Sequence, residues 1–326
     1  MDRADMHIDK ALTQVSVQYL QDEDNFIAGK VFPMVPVQKQ SDRYFKYLKE
    51  DWFRDDAQER APGTESAGGD YEIDNTPTYF CKKYAFHKDV TEEDRANADD
   101  PLTPDEDAVQ FVSDKILLNK ENNWARKFFT DGVWGTDYTG AAAASQTTGT
   151  IVYWNDYTNS TPIEDITKMA TAQSEVTGKR PNTLVLGRKA YDALKNHPDF
   201  LDRVKYTQKG VVTTDLIAQL FDVERVLVAN AIQNTAKKGQ TASMSFILGN
   251  HVLLCYTTNA PKIKTATAGY TFVWTGLMGS NALGGRINRF SMPMLGIGTE
   301  RIECEMAYDM KVVAADMGTF IKNAVS

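Results

Sequence analysis

The sequence contains few of the residues from which catalytic and metal centres are usually built. Its 326 residues include three cysteines and four histidines, and together these do not form a pattern typical of metal ligands. Neither the nucleophile pattern G-x-S-x-G nor the phosphate-binding pattern G-x-x-x-x-G-K-S/T occurs. Carboxylates are frequent, but no pair is singled out for acid–base chemistry. We therefore expect a protein without catalytic activity, cofactor or metal.

Disulfides, membrane spans and an excess of positive charge are also missing. Cys81, Cys255 and Cys304 lie far apart and are odd in number, as expected of reduced thiols in strands of a cytosolic protein. No apolar run approaches the ~20 residues of a membrane-spanning helix, and the acidic start of the chain has no signal-peptide pattern. The net charge of −8 argues against tight, sequence-independent binding of nucleic acid, which needs clustered Lys and Arg.

The longest regular pattern predicts a helix over residues 104–130. Thr103 is a candidate cap, Pro104 suits the first turn, and acidic residues follow at the positive end of the helix dipole. Apolar residues recur at helical spacing, with a polar interruption at 119–123; they are Val109, Val112, Ile116, Trp124 and Phe128. At ~1.5 Å per residue such a helix is roughly 40 Å long.

The first 90 residues predict an extended arm followed by a projecting hairpin. Pro33 and Pro36 exclude helix from residues 31–37, whose apolar side chains need a surface to cover. Residues 43–53 and 70–88 have the composition of strands and enclose a polar tip rich in Gly and Pro. Aromatic residues fall on both faces of this hairpin, which favours partners on both sides. An ordinary hairpin packed within its own domain remains the alternative.

Residues 161–260 predict a separate α/β unit. Thr161 and Pro162 open a helix that Gly178 can end. Short apolar strands are predicted at 183–187, 225–231, 244–249 and 251–257, with a polar loop between the second and third. Farther on, residues 301–312 alternate strictly between polar and apolar, which predicts a half-buried strand whose apolar face lies on the long helix.

The order of these parts resembles the major capsid proteins of tailed bacteriophages, with the Hong Kong 97-like fold. Two local stretches add to the resemblance: the loop tip Arg60, Ala61, Pro62, Gly63, and residues 311–315, Lys-Val-Val-Ala-Ala. The implied fold is α+β. Its implied divisions are an N-terminal arm at 1–40, an extended β-hairpin loop at 41–90, a peripheral domain at 91–160 and 261–326 with spine helix 104–130 and a β-sheet, and an axial α/β domain at 161–260.

The resemblance also implies a function, namely a structural subunit that self-assembles into pentamers and hexamers of an icosahedral shell around double-stranded DNA. The implied partners are other copies, a portal protein and any separate scaffolding and decoration proteins. The shell would enclose DNA without sequence-specific binding and would not contact a membrane. Assembly in the bacterial cytoplasm is implied as well. The residues expected at subunit contacts are Phe32, Val35, Trp52, Phe53, Arg54, Arg60, Pro62, Lys237 and Lys238. Two alternatives are an encapsulin-like compartment shell and an α/β enzyme built on 161–260.

Overall fold

The computed structural model describes residues 21–98, 102–143, 149–204, 212–261, 265–279 and 285–326. The α-helices in these ranges are α1 Ala28–Val31, α2 Lys49–Trp52, α3 Glu92–Ala96, α4 Pro104–Phe128, α5 Pro162–Thr177, α6 Arg188–Lys195, α7 Pro198–Val204, α8 Thr214–Phe221 and α9 Thr275–Met278. The strands are β1 Met34–Val37, β2 Ser41–Arg43, β3 Lys46–Tyr47, β4 Ile73–Asp74, β5 Thr78–Phe80, β6 Lys82–Val90, β7 Thr136–Ala141, β8 Thr150–Val152, β9 Thr183–Gly187, β10 Arg225–Ala229, β11 Ile232–Asn234, β12 Met244–Phe246, β13 Val252–Cys255, β14 Gly269–Trp274, β15 Arg286–Ser291, β16 Glu300–Val312 and β17 Gly318–Lys322.

The predicted long helix is α4, which spans 25 residues. It ends two residues before the predicted boundary, where the Trp134 indole N–H donates to the Phe128 carbonyl at 2.8 Å. The expected cap is wrong in detail, since the Thr103 side chain accepts no backbone amide. Its hydroxyl instead donates to the Glu106 carboxylate at 3.1 Å. Acidic residues in the first turn and basic residues in the last turn complement the helix dipole.

The long closing strand β16 is the centre of a five-stranded sheet. It pairs antiparallel with β6, β14 and β15, and β1 adds parallel to β14. Its alternate apolar residues are buried against the apolar stripe of α4, as predicted from the sequence; they are Ile302, Cys304, Met306, Tyr308 and Met310. The opposite face is covered as well, because Ala307 packs against Val273 and Met278. The strand is therefore more deeply buried than the alternation predicted.

A six-stranded sheet has the order β10-β9-β13-β17-β7-β8. One of its faces packs against α5, α6 and α8, with Leu184 and Leu186 among the buried residues. The other face contributes Val185, Leu253 and Phe320 to the core that α4 forms with β16. The two sheets thus share one apolar core along α4. The sheet also extends beyond the predicted 161–260 unit, because β17 covers the edge of β13 and recruits β7 and β8.

The predicted continuous hairpin is wrong in its details. Two short pairings, β2 with β5 and β3 with β4, form a narrow ribbon. The segment predicted as one strand over 43–53 turns into the helix α2, whose first turn carries two acidic residues. The second predicted strand divides at Cys81, after which β6 leaves the ribbon and joins β16. Every residue from 52 to 73 is exposed, so the distal part of the ribbon projects from the body.

The described part of the N-terminal arm lies on its own subunit. Residues 1–20, including a predicted amphipathic piece at 11–20, fall outside the described residues. Ile27, Ala28 and Val31 are buried in the core along α4. The strand β1 accommodates Pro36 because it is an edge strand, paired with β14 alone. The expectation that the arm is extended holds for 33–37, while residues 28–31 form a helical turn.

Candidate inter-subunit surface

The ribbon displays a cluster of three aromatic side chains, of which two are exposed and one is half-buried. The rings of Tyr47, Trp52 and Tyr71 lie 5.7–6.0 Å apart, centroid to centroid, and we call them the ribbon cluster. Trp52 is 61% exposed and the adjacent Phe53 is 66% exposed. Large exposed aromatic groups that are already ordered by mutual contact are typical of protein–protein interfaces. The ribbon cluster is therefore a surface ready to be covered.

The base of the ribbon rests on the C-terminal end of α5. Lys49 Nζ lies 2.5 Å from Asp316 Oδ2 and donates to the Val176 carbonyl at 3.4 Å. The ring of Phe53 lies against Gly178, whose left-handed backbone (φ 64°) ends α5 and leaves room for the ring. These contacts fix the direction in which the ribbon leaves the body. Beyond them, Arg54 and all residues up to the tip are exposed.

The tip of the ribbon is a tight turn. Thr64 donates from its amide and its hydroxyl to the Ala61 carbonyl, at 3.2 and 2.8 Å. Arg60 Nε donates to the Thr64 carbonyl at 2.6 Å, so this side chain folds over the turn. Arg60 and Pro62 are both exposed. The turn thus presents an arginine and a proline at the end of the projection.

A second projection is the hairpin of β11 and β12, at the end of which stand Lys237 and Lys238. Asn234 Oδ1 accepts the amides of Ala236 and Ser243, both at 3.0 Å, and so closes the base of the loop. Both lysines are exposed. The outer strand β12 exposes Met244 and Phe246 beside them. The two lysines therefore lie on a separate surface feature from the ribbon cluster.

Two residues of the predicted contact set have another place in the structure. Phe32 is 2% exposed and packs edge-on against Phe128, with ring centroids 4.9 Å apart. The prediction of a subunit contact is wrong for Phe32, because its side chain is part of its own core. Val35 is half-buried beside Phe272 and Tyr79. Only the remaining exposed part of Val35 is available to a neighbour.

Sequence reasoning missed the residues that hold the arm in place. Glu121 in α4 is fully buried and its Oε2 accepts the amides of Ile27 and Ala28, at 3.0 and 2.8 Å. Arg225 donates to the carbonyls of Lys30 and Val31, at 3.1 and 3.0 Å. A signal was present, since Glu121 stands three residues before Trp124, within the apolar stripe of the helix. A charged side chain at such a position calls for a buried partner.

One constellation with the residue types of a hydrolase proves to be structural. His197 Nε2 lies 3.0 Å from Ser160 Oγ, and His197 Nδ1 accepts the amide of Asp199. Both His197 and Ser160 are buried, and burial lowers the pKa of the imidazole, which favours its neutral form. The Ser160 hydroxyl donates to the Asp156 carbonyl at 2.6 Å. Because both side chains are buried, the arrangement joins the segment before α5 to the turn between α6 and α7 and exposes no nucleophile.

Metal and membrane sites find no support in the described residues. No group of three or more His, Cys, Asp or Glu side chains in these residues could hold a metal ion. No helix in the described part of the chain combines the length and the apolar character that a bilayer crossing needs. All three cysteines are free and buried, and burial raises the pKa of Cys81 to about 11 and that of Cys255 to about 12.

Comparison with known proteins identifies the type of subunit. A family model described as "Phage major capsid protein E" matches residues 138–270. The major capsid protein of Pseudomonas phage JBD67 is 28% identical over 330 aligned positions, which cover all of both chains. The chain is therefore similar over its whole length to a phage major capsid protein. The major capsid protein of Burkholderia phage BcepMu is also 28% identical, over 76% of each chain.

Solved structures extend the comparison to the fold of the capsid protein. A phage-related protein from Bordetella bronchiseptica superposes with a TM-score of 0.67 at 22% identity, covering 93% of both chains. The capsid of cyanophage P-SCSP1u gives a TM-score of 0.62 at 12% identity, covering 99% of this chain and 94% of the other. An encapsulin from Synechococcus elongatus gives 0.54 at 10% identity, covering 97% and 95%. The fold is thus the α+β Hong Kong 97-like fold, and the relatives that match most of the chain are major capsid proteins of phages.

Proposed function

We propose that copies of this protein form the pentamers and hexamers of an icosahedral shell by laying the ribbon of each copy on its neighbour. The observation that carries this proposal is the ribbon cluster, in which the exposed rings of Trp52 and Tyr71 lie beside the base contact between Lys49 and Asp316. A projecting contact of this kind is heterologous, and it closes into a ring or shell through rotation. Many modest contacts of this kind strengthen one another through multivalency.

The ribbon supplies the contact residues of this proposal, from its base to its tip. Trp52 and Phe53 provide the apolar area, while Arg54, Arg60 and Pro62 extend it towards the tip. Aromatic residues and arginine are enriched at the centres of interfaces, where they contribute most of the binding energy. We expect the neighbour to cover the ribbon cluster completely.

The hairpin of β11 and β12 supplies a second proposed contact. Lys237 and Lys238 are exposed at its end, and Met244 and Phe246 provide an apolar flank. In the implied arrangement of the family these tips meet around the five-fold and six-fold axes. The two lysines would then face carboxylates of the adjacent copy, because like charges meeting directly would repel.

The proposed content of the shell is double-stranded DNA. A net charge of −8 per subunit suits a wall that repels the phosphate backbone and so encloses DNA without binding its sequence. Both curated relatives are phage capsid proteins that cover three quarters or more of the chain. A portal protein and separate scaffolding or decoration proteins are the further partners that such a shell implies.

Purified particles test both parts of the proposal. Electron microscopy of the expressed protein should reveal closed shells built of five-fold and six-fold clusters, with the ribbon density on the adjacent copy. Particles purified from infected cells should retain DNA after nuclease treatment. Shells that contain a protein cargo and no protected DNA would favour the encapsulin-like alternative, and a 36.4 kDa species under all assembly conditions would contradict both.

A further inference from the structure

The helical turn α1 is held at both ends by charged side chains from different parts of the subunit. A single turn of four residues leaves its first amides and its last carbonyls without intrahelical partners. Glu121 accepts the amides at one end, and Arg225 donates to the carbonyls at the other. The first side chain belongs to α4 and the second to the edge strand β10 of the six-stranded sheet. The turn therefore bridges the helix and the sheet.

Arg225 is itself fixed in position by the sheet. Its Nε donates to Thr183 Oγ1 at 2.9 Å, and its Nη2 donates to Thr257 Oγ1 at 2.7 Å. The two carbonyls of the arm, at Lys30 and Val31, use two of the three remaining N–H donors of the guanidinium group. A planar group with four partners holds the arm more rigidly than a flexible ammonium group could.

Glu121 occupies an environment that disfavours its charge. Burial raises the pKa of Glu121 to about 7, although the amides of Ala28 and Ile27 oppose the effect. The charged groups nearest to it are Lys120 on the same helix and Lys30 on α1. Lys120 lies over the ring of Tyr308 from β16, 6.0 Å from its centroid. The second carboxylate oxygen, Oε1, has no hydrogen-bond partner within the described residues.

Asp24 and Arg225 are the other charged groups linked to this turn. Lys30 is paired with Asp24 at 2.7 Å, and Arg225 holds the opposite end of the turn. Burial lowers the pKa of Lys120, so the charge that could neutralise Glu121 is itself disfavoured. The pKa of about 7 lets the carboxyl group of Glu121 change its charge near neutral pH.

We propose that residues 27–31 are an anchor that keeps the arm on its own subunit, closed by Glu121 and Arg225 and loosened when Glu121 loses its proton. Release of residues 27–31 would uncover Glu121 to water and return its pKa towards the ordinary value of 4.5. Between pH 4.5 and about 7 the released state gives up a proton that the anchored state keeps. The anchor is therefore firmest below this window, weakens as the pH rises through it, and changes little above it.

Hydrogen exchange of the full-length protein measures the anchor directly, at the amides of Ile27 and Ala28. After correction for the intrinsic exchange rate, we expect wild-type protection to be on the order of 10- to 100-fold lower at pH 8 than at pH 5. In Glu121→Gln the side chain keeps an acceptor oxygen but cannot ionise, so its protection should not change with pH. The control Glu175→Gln, on the exposed face of α5, should keep the wild-type profile.

Two results would overturn this proposal. Wild-type protection that is the same at both pH values would refute the role of Glu121 without any variant. A Glu121→Gln profile that matches the wild type would refute it as well. The Arg225 end is tested with Arg225→Lys, which cannot reach both carbonyls and both threonines. We expect exchange at residues 27–31 to rise about tenfold at either pH, and unchanged exchange would show that the anchor has only one end.

Discussion

Asp309 joins the long helix to the base of the ribbon. Its Oδ1 lies 3.0 Å from Lys127 Nζ on α4, while its Oδ2 accepts the amide of Phe80 at 3.1 Å. Asp309 itself belongs to the central strand β16. One nearly buried carboxylate therefore connects three elements, at the point where the ribbon meets the sheet.

Replacing Asp309 with Asn should destabilise the subunit and free the base of the ribbon. The asparagine side chain has a single acceptor oxygen, so it can accept from Lys127 or from the Phe80 amide but not from both in the present geometry. The charge attraction to Lys127 is also lost. We expect the free energy of unfolding to fall by about 1–2 kcal/mol, measured by denaturant titration. Asp42→Asn, at an exposed residue of β2, is the matched control and should change the midpoint little.

The buried Glu305 should make the subunit sensitive to acid. Burial alone would raise the pKa of Glu305, but Lys83, Arg286 and Asn288 outweigh it and hold the pKa below its ordinary value. Because the folded state favours the charged form, this stabilisation is present above pH 4.5 and is lost as the pH falls through the lowered pKa. Glu305→Gln should cost roughly 2–3 kcal/mol at pH 7 and less at pH 3, measured by chemical denaturation at both values.

A half-buried carboxylate on the same strand is the control for Glu305. Glu303 forms no ion pair within the described residues, so Glu303→Gln should change the stability little at either pH. An equal loss of stability for Glu305→Gln at pH 3 and pH 7 would mean that the side chain contributes through its shape and not through its charge.

Trp52 should matter for assembly and not for the stability of the subunit. Its side chain is largely exposed, so truncation to Ala should change the free energy of unfolding by about 0.5 kcal/mol or less. The same truncation removes a central aromatic contact of the proposed interface, which should cost about 2 kcal/mol per contact. Light scattering of Trp52→Ala should therefore show shells at a concentration roughly 30-fold higher than for the wild type.

Leu201→Ala is the control for assembly, because this exposed apolar residue lies on α7, away from the ribbon. It should assemble as the wild type does. If Trp52→Ala also assembles at the wild-type concentration, the ribbon cluster is not a subunit contact.

In contrast to Trp52, Phe32 should matter for the stability of the subunit itself. It packs among Trp124, Phe128 and Trp134, so Phe32→Ala leaves a cavity in the core along α4. We expect a loss of about 3–5 kcal/mol in the free energy of unfolding, seen in the unfolding midpoint of unassembled subunits. A stable Phe32→Ala subunit that fails only in assembly would return Phe32 to the contact set.

Periodic patterns in the sequence predicted the elements whose environment is set by neighbours along the chain. The stripe of α4 and the alternation of β16 both led to the observed core, since each is fixed by repeated burial of one face. The partition of the ribbon at Cys81 was not predictable in this way. It depends on the pairing of β6 with a strand more than 200 residues farther along the chain, and local composition does not encode such pairings.

The candidate site shows the same limit. Composition indicated that Trp52 and Phe53 lie on a projection, because aromatic residues on both faces of a hairpin need partners. Phe32 was assigned wrongly, since an apolar residue before a proline is equally compatible with a core and with an interface. Glu121 gave a weak signal within the helical stripe, but its partners are backbone amides, which no sequence pattern marks.

The apolar core that runs along α4 has a mechanical consequence. Because the same helix is packed against β16 on one side and reaches the inner face of the six-stranded sheet through residues such as Phe320, one apolar core joins the two sheets in the described part of the chain. Close-packed interiors are stiff and transmit strain. A force applied to either sheet is therefore passed through the helix to the other, and the projecting ribbon is the part that yields first.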